Sequence, residues 1–157
     1  MTHTSPVVPA APRYRSKTLA TWLAFAAGAL GAHRFYLYGA KDALGWAHPL
    51  PTLAGLAGAV RMRNLGQDDM VAWALIPVLG LMLTIGMLSA IVIGLTPDDK
   101  WDARHNPGLG DHPTGWAPVL GVIAALLVGG AVLMGTLAFG GQHLVEWQLA
   151  GQRAEKP

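Results

Sequence analysis

Apolar residues fall in four long blocks separated by short polar clusters, not in the one-faced or alternating patterns of soluble helices and strands. From Met70 to Pro97 no Asp, Glu, Lys, Arg or His occurs, a run of 28 residues; Pro113 to Gln142 is a second such run, of 30. About 20 apolar residues carry a helix across a hydrocarbon layer of about 30 Å, so both runs predict spanning helices. A third block, Thr18 to Tyr38, is uncharged until His33 and Arg34. The fourth, Ala43 to Val60, contains His48, Pro49 and Pro51, and its prolines predict a kink or break.

Positive charge decides the number of crossings. With four spans and the N-terminus inside, Arg13, Arg15, Lys17, Arg61, Arg63, Arg153 and Lys156 are cytoplasmic, against Arg34, Lys41, Lys100 and Arg104 outside. Without the second span the bias disappears, so four spans are expected, with both termini cytoplasmic. Trp22, Trp46, Trp73, Trp101, Trp116 and Trp147 each lie within six residues of an expected span end, three per side, where indoles favour the headgroup level. The first block also fits a secretory signal peptide, basic residues preceding Leu19–Ala32, whose cleavage would leave three spans.

The polar clusters divide the chain further. Residues 1–12, with Pro6, Pro9 and Pro12, read as a disordered cytoplasmic tail. Residues 13–65 form one helical hairpin and 66–148 a second pair of helices with an outer loop at 96–115; 149–157 is a short cytoplasmic tail. Arg61–Asp69 is a turn, with Asp68 and Asp69 at the N-terminus of the third span. Thr96-Pro97-Asp98-Asp99 reads as N-cap, first-turn proline and acidic first turn of a short surface helix ending near His105, with Trp101 pointing inward. Small residues recur four apart at Ala24/Gly28/Ala32, Gly86/Ala90/Gly94 and Gly121/Ala125/Gly129, a spacing that lets helix backbones approach closely in lipid.

The first span ends Gly28-Ala29-Leu30-Gly31-Ala32-His33-Arg34-Phe35-Tyr36-Leu37-Tyr38-Gly39. This segment resembles the signature of the TM2 domain family, in which a tight loop joins two membrane helices. Gly28, Gly31, His33, Arg34, Phe35, Tyr36, Leu37 and Gly39 carry the resemblance, which extends over about residues 13–65. Tyr38 is inserted before Gly39, Ala59-Val60-Arg61 replaces the usual Trp and Asp, and the Pro49/Pro51 break is foreign to the pattern. The resemblance implies a multi-pass protein of a bacterial plasma membrane. It assigns no reaction. Arg34 either snorkels to the headgroups or docks on a carboxylate such as Asp42 or on nearby carbonyls; the flanking glycines favour docking.

Composition adds exclusions. Only 13% of residues are charged against roughly a quarter in soluble domains, the formal net charge is +2, and there is no Cys. Disorder, thiol chemistry, zinc–thiolate sites and a nucleic-acid footprint are thereby excluded. Asp98, Asp102 and His105 share one face of the short helix, with Asp111 and His112 near in sequence, and are the candidate divalent-metal ligands; a solvated mixed-charge surface is the alternative. No catalytic residue or cofactor is expected. The expected protein is an all-α membrane protein, a structural or interaction component whose partners are the bilayer and a membrane protein or second copy. A small-solute or ion transporter acting as an oligomer is the alternative, with His48 its only mid-span candidate.

Overall fold

A computed structural model describes residues 13–154. The described chain is helical throughout: α1 Lys17–Ala27, a 3-10 turn Gly28–Leu30, α2 Ala32–Tyr38, α3 Ala43–Trp46, α4 Pro49–Leu65, α5 Met70–Leu95, α6 Asp98–His105 and α7 Ala117–Ala154. Two segments, Met70–Leu95 and Ala117–Leu149, are long and apolar enough to cross a membrane, and only 33% and 28% of their most apolar stretches are buried. A core helix of a soluble protein would be mostly covered. Here Leu88 and Val92 on α5 and Leu126 and Leu127 on α7 stand exposed instead. The expected tail 1–12 and signal-peptide start lie outside the described residues or at their edge.

α5 is the axis, packed against α1, α4 and α7. All three small-residue stripes are used there. Ala24, Ala90 and Ala125 meet with Met87 in the buried core. Gly28 lies on Gly86 so closely that a Cβ on Gly86 would come 2.8 Å from the Ala29 backbone nitrogen. Gly94 faces Pro118 and Thr21, and Gly129 faces Met87. Ala32, at the end of the first stripe, is only half-buried. A fourth small face lies on α4, where Gly55 packs on Leu79 and Gly58 on Leu75 of α5 while Thr52 reaches the Ala29 carbonyl; the sequence reading did not include it.

The expected first span is not one helix. Gly31, at φ +75°, turns the chain, and its N–H donates to the Gly28 carbonyl at 2.9 Å. α2 then returns toward the start of α1, where the Ser16 N–H donates to the Tyr36 hydroxyl at 2.8 Å and the Arg15 guanidinium to the Tyr36 carbonyl. A straight helix would hold those ends about 30 Å apart. The cause is the seat offered by Gly86 and by Thr52, whose hydroxyl donates to the Ala29 carbonyl at 2.5 Å. Satisfying that freed carbonyl lets the turn be buried.

Other expectations shift with it. Lys17 meets Asp98 and the Thr96 carbonyl, so the start of α1, the end of α5 and α6 share one end of the bundle. Four straight spans with both termini on one face would have put Lys17 and Asp98 on opposite sides. Pro49 and Pro51 do not break a span; they lie in the first turn of α4, where a proline nitrogen lacks no needed partner. α4 continues to Leu65, shortening the expected turn to Gly66–Asp69. Thr96 closes α5, its hydroxyl donating to Val92, so Pro97 rather than Thr96 precedes α6. α7 runs 38 residues, about 57 Å, through the expected C-terminal tail. Trp101 is 4% exposed, its indole donating to the Arg15 carbonyl, so it is a core residue rather than a headgroup anchor.

The Gly28–Gly86 contact generates a direct expectation. Gly86→Ala places a methyl against rigid backbone and should lower stability by about 1–3 kcal/mol, the usual cost of overpacking. Gly130→Ala, whose Cβ would meet nothing within 4 Å, should melt at or slightly above wild type, since alanine suits a helix interior better than glycine. Thermal unfolding of both variants in detergent measures the difference.

Candidate functional site

Polar chemistry concentrates where α1, α2, α5 and α6 meet. Lys17, 5% exposed, lies at the foot of this cluster and donates to the Thr96 carbonyl at 2.9 Å as well as to Asp98. Asp98 also accepts from the Thr114 N–H at 3.0 Å and hydroxyl at 2.8 Å. The hydrogen bond from Lys17, outweighing desolvation, holds the Asp98 carboxyl down to about 2. Asn106, 2% exposed, accepts from the Arg15 N–H at 2.7 Å and donates to Asp102 at 2.6 Å. Asp102 takes the His112 N–H at 2.7 Å, and chiefly through the Asn106 bond its carboxyl lies below the usual range.

These partners dissolve the candidate metal site. Asp98 and Asp102 are each occupied, while His105 lies 4.2 Å from Trp101, ring to ring, on the side facing Tyr38. Burial, reinforced by Arg104 and Arg15, lowers its pKa. Among the described residues no group of three His, Asp or Glu side chains can hold a metal ion. One helix face had grouped three residues whose real neighbours come from elsewhere in the chain.

The signature residues form the hairpin and its exit. Gly28 and Gly31 make the turn; His33 is buried beside His48, rings 6.0 Å apart; Phe35 packs edge-on against Trp46 at 5.2 Å. Tyr36 ties α2 back to residues 15 and 16. Leu37 lines a groove with Tyr38, and Gly39, at φ +84°, ends α2. Arg34 docks on Asp42: Nε donates to Oδ2 at 2.6 Å and a terminal nitrogen to Oδ1 at 3.3 Å. The Asp42 carboxyl is lowered, first by this bond. No close backbone approach occurs at Gly39, so of the two flanking glycines only Gly31 permits tight packing.

The second loop repeats this construction. Arg61 donates to Asp69 at 2.8 and 3.3 Å, Gly66 takes φ +94°, and the Trp73 indole donates to the Gln67 carbonyl at 2.5 Å. In the first loop the Trp46 indole donates to Ala40 at 2.8 Å. Both aspartates cap the following helix, through Gly45 and Val71. The sequence carries the signal openly as Arg-x4-Gly-x2-Asp-x3-Trp, at Arg34–Trp46 and again at Arg61–Trp73. Sequence reasoning missed it because it compared blocks, not the loops between them.

Comparison with protein-family models, curated proteins and solved structures finds no match, so the TM2 resemblance rests on the residues quoted above.

Two measurements follow. Because Asp98 is depressed in the folded state, its contribution is present above an ordinary aspartate pKa near 4 and lost as pH falls through about 2. Asp98→Asn should therefore lower stability at pH 7, by about 1.5–3 kcal/mol for the lost charge-assisted bond while Lys17 keeps only the Thr96 carbonyl, and flatten the acid limb between pH 4 and 2. Detergent unfolding across pH reads both. Separately, Arg34→Lys loses the two-pronged bond and should melt several degrees below wild type. Arg63→Lys, on the exposed end of α4 and outside the clamp, should not.

Proposed function

We propose that this chain is a small integral membrane protein, a non-catalytic structural or interaction component placed in a bacterial plasma membrane, with α4, α5 and α7 crossing and the α1–α2 hairpin re-entering from one face. The observation that carries the reading is the inversion of surface and interior. Large aliphatic side chains cover the outside of α5 and α7, whereas alanine and glycine fill the contacts between helices. A helix apolar all round has its outer face in lipid, and small residues replace the hydrophobic drive that lipid removes.

Three crossings also preserve a charge bias. Arg13, Arg15, Lys17, Arg34, Lys41, Lys100 and Arg104 gather at the α6 end, against Arg61 and Arg63 at the α4–α5 turn, with Arg153 in the last turn of α7 and Lys156 following it in the sequence. The positive-inside rule then makes the α6 end cytoplasmic and puts the two ends of the chain on opposite sides. This replaces the topology expected from four straight spans.

Interaction is favoured over transport by what lines the bundle. The Thr21, Thr84 and Thr136 hydroxyls donate to carbonyls of their own helices, leaving them no partner role in a hydrated path among the described residues. The second half of α7 supplies a free surface: a Cβ on Gly135, Gly140 or Gly141 would meet nothing within 4 Å, and Met134, Leu137 and Leu144 are exposed beside them. A membrane helix with such small, bare positions suits a second helix, from another copy or a membrane partner.

The absence of cysteine in the sequence makes the test clean. Single cysteines replacing Arg13 and Asp111 should behave alike toward an impermeant thiol reagent in intact cells, both resisting it. Those replacing Asn64 and Gln152 should both label. Opposite behaviour of Arg13 and Asp111 would restore a straight first span. In the same membranes a bifunctional maleimide should capture Gly141→Cys as a larger species, and Leu81→Cys only as monomer. Monomer alone at both positions would remove the interaction role.

A further inference from the structure

Between α2, α5 and α6 runs an open groove of about 380 Å³ whose chemistry changes along its length. Its lower wall is aliphatic, from Ile85, Leu88 and Val92 of α5 and Leu37 of α2. Its upper rim is cationic, from Lys100 and Arg104, four residues apart on the exposed side of α6. Neither enters an ion pair among the described residues, whereas Arg34 at the side is already held by Asp42. His33 closes the groove inward: it is 5% exposed, and its Nδ1 is buried without a hydrogen-bond partner. Ser89, also in the wall, spends its hydroxyl on the Ile85 carbonyl.

We propose that this groove is a binding site for an anionic phospholipid, with the phosphate under Lys100 and Arg104 and one acyl chain along Ile85, Leu88 and Val92. The two cations offer charge-assisted hydrogen bonds to phosphate oxygens. The aliphatic strip matches a hydrocarbon chain in the place where the bilayer supplies one. The glycerol and ester groups lie between those two regions, beside Ile93 and Thr96 at the top of α5. Free inorganic phosphate shares only the first of these contacts, so the lipid is the ligand that uses the whole groove.

The site rests on the membrane reading, and the experiment separates the two. Alkaline carbonate extraction of membranes comes first; release of the protein there would overturn the membrane reading itself. The retained full chain, purified in neutral detergent, is then titrated with dioleoylphosphatidylglycerol, dioleoylphosphatidylcholine or sodium phosphate, with native mass spectrometry and thermal shift as readouts. Phosphatidylglycerol should bind in preference to phosphatidylcholine, and phosphate alone should produce no shift. Lys100→Gln/Arg104→Gln should bind phosphatidylglycerol about thirtyfold more weakly, about fivefold for each basic residue at a lipid surface. Lys41→Gln/Arg63→Gln removes the same charge away from the groove and should bind as wild type. Val92→Trp, which fills the chain path and keeps both cations, should weaken binding as well. Equal binding of the two lipids, or undiminished binding by the Lys100/Arg104 variant, would overturn the site. A shift with phosphate equal to that with phosphatidylglycerol would overturn the lipid and leave an anion site.

Discussion

A carbonyl freed at the bottom of a helical hairpin has to find a donor, and the position of most other elements follows from where it finds one. The turn Gly28–Gly31 opens the helix ladder where Ala29 is buried, so its carbonyl needs a partner within the protein. Thr52 answers from α4 by donating to the Ala29 carbonyl. Thr52 stands there because Pro49 starts α4 one turn earlier, and α4 is held along α5 by Gly55 and Gly58. Gly86 then lets α5 come into backbone contact with the turn. Each of these residues is small or singly polar, and none would be sufficient without the others.

Where that seat fixes the interior, the loops fix direction. The two Arg–Asp clamps lie at successive reversals of the chain, each with a glycine of positive φ, an aspartate cap and a tryptophan tied to the loop. An exposed ion pair contributes little on its own. Here its value is geometric: one carboxylate both receives the guanidinium and caps the next helix, so the angle of departure and the pairing cannot vary independently. The third connection, α6, uses long-range contacts instead, through Lys17, Arg15 and Asn106. The N-terminal segment is thereby bound to a loop nearly ninety residues later.

What could be read from the sequence divides along the same line. Periodic features survived where they were strongest: the two long apolar helices α5 and α7, the α6 segment and the stripes through Ala24, Ala90 and Ala125 serve as their spacing indicated, because each depends on local helix geometry. The Arg34–Asp42 pair was legible too, being eight residues apart across one turn. The hairpin was not, since Gly28 and Gly31 are tolerated in a straight membrane helix and only the distant Gly86 and Thr52 make turning favourable. Asp98, Asp102 and His105 failed as a group for a related reason. A shared helix face says what points the same way, not that Lys17, Thr114 and Asn106 are already waiting there.

The seat of the hairpin also orders its assembly in time. Gly28 and Gly31 leave the ribosome well before Thr52, and Gly86 later still, so the buried turn has nothing to rest on when it is first made. It can adopt its folded-back form only once α4 and then α5 arrive alongside. The α1–α2 hairpin is thus made before the elements it rests on and settles after them.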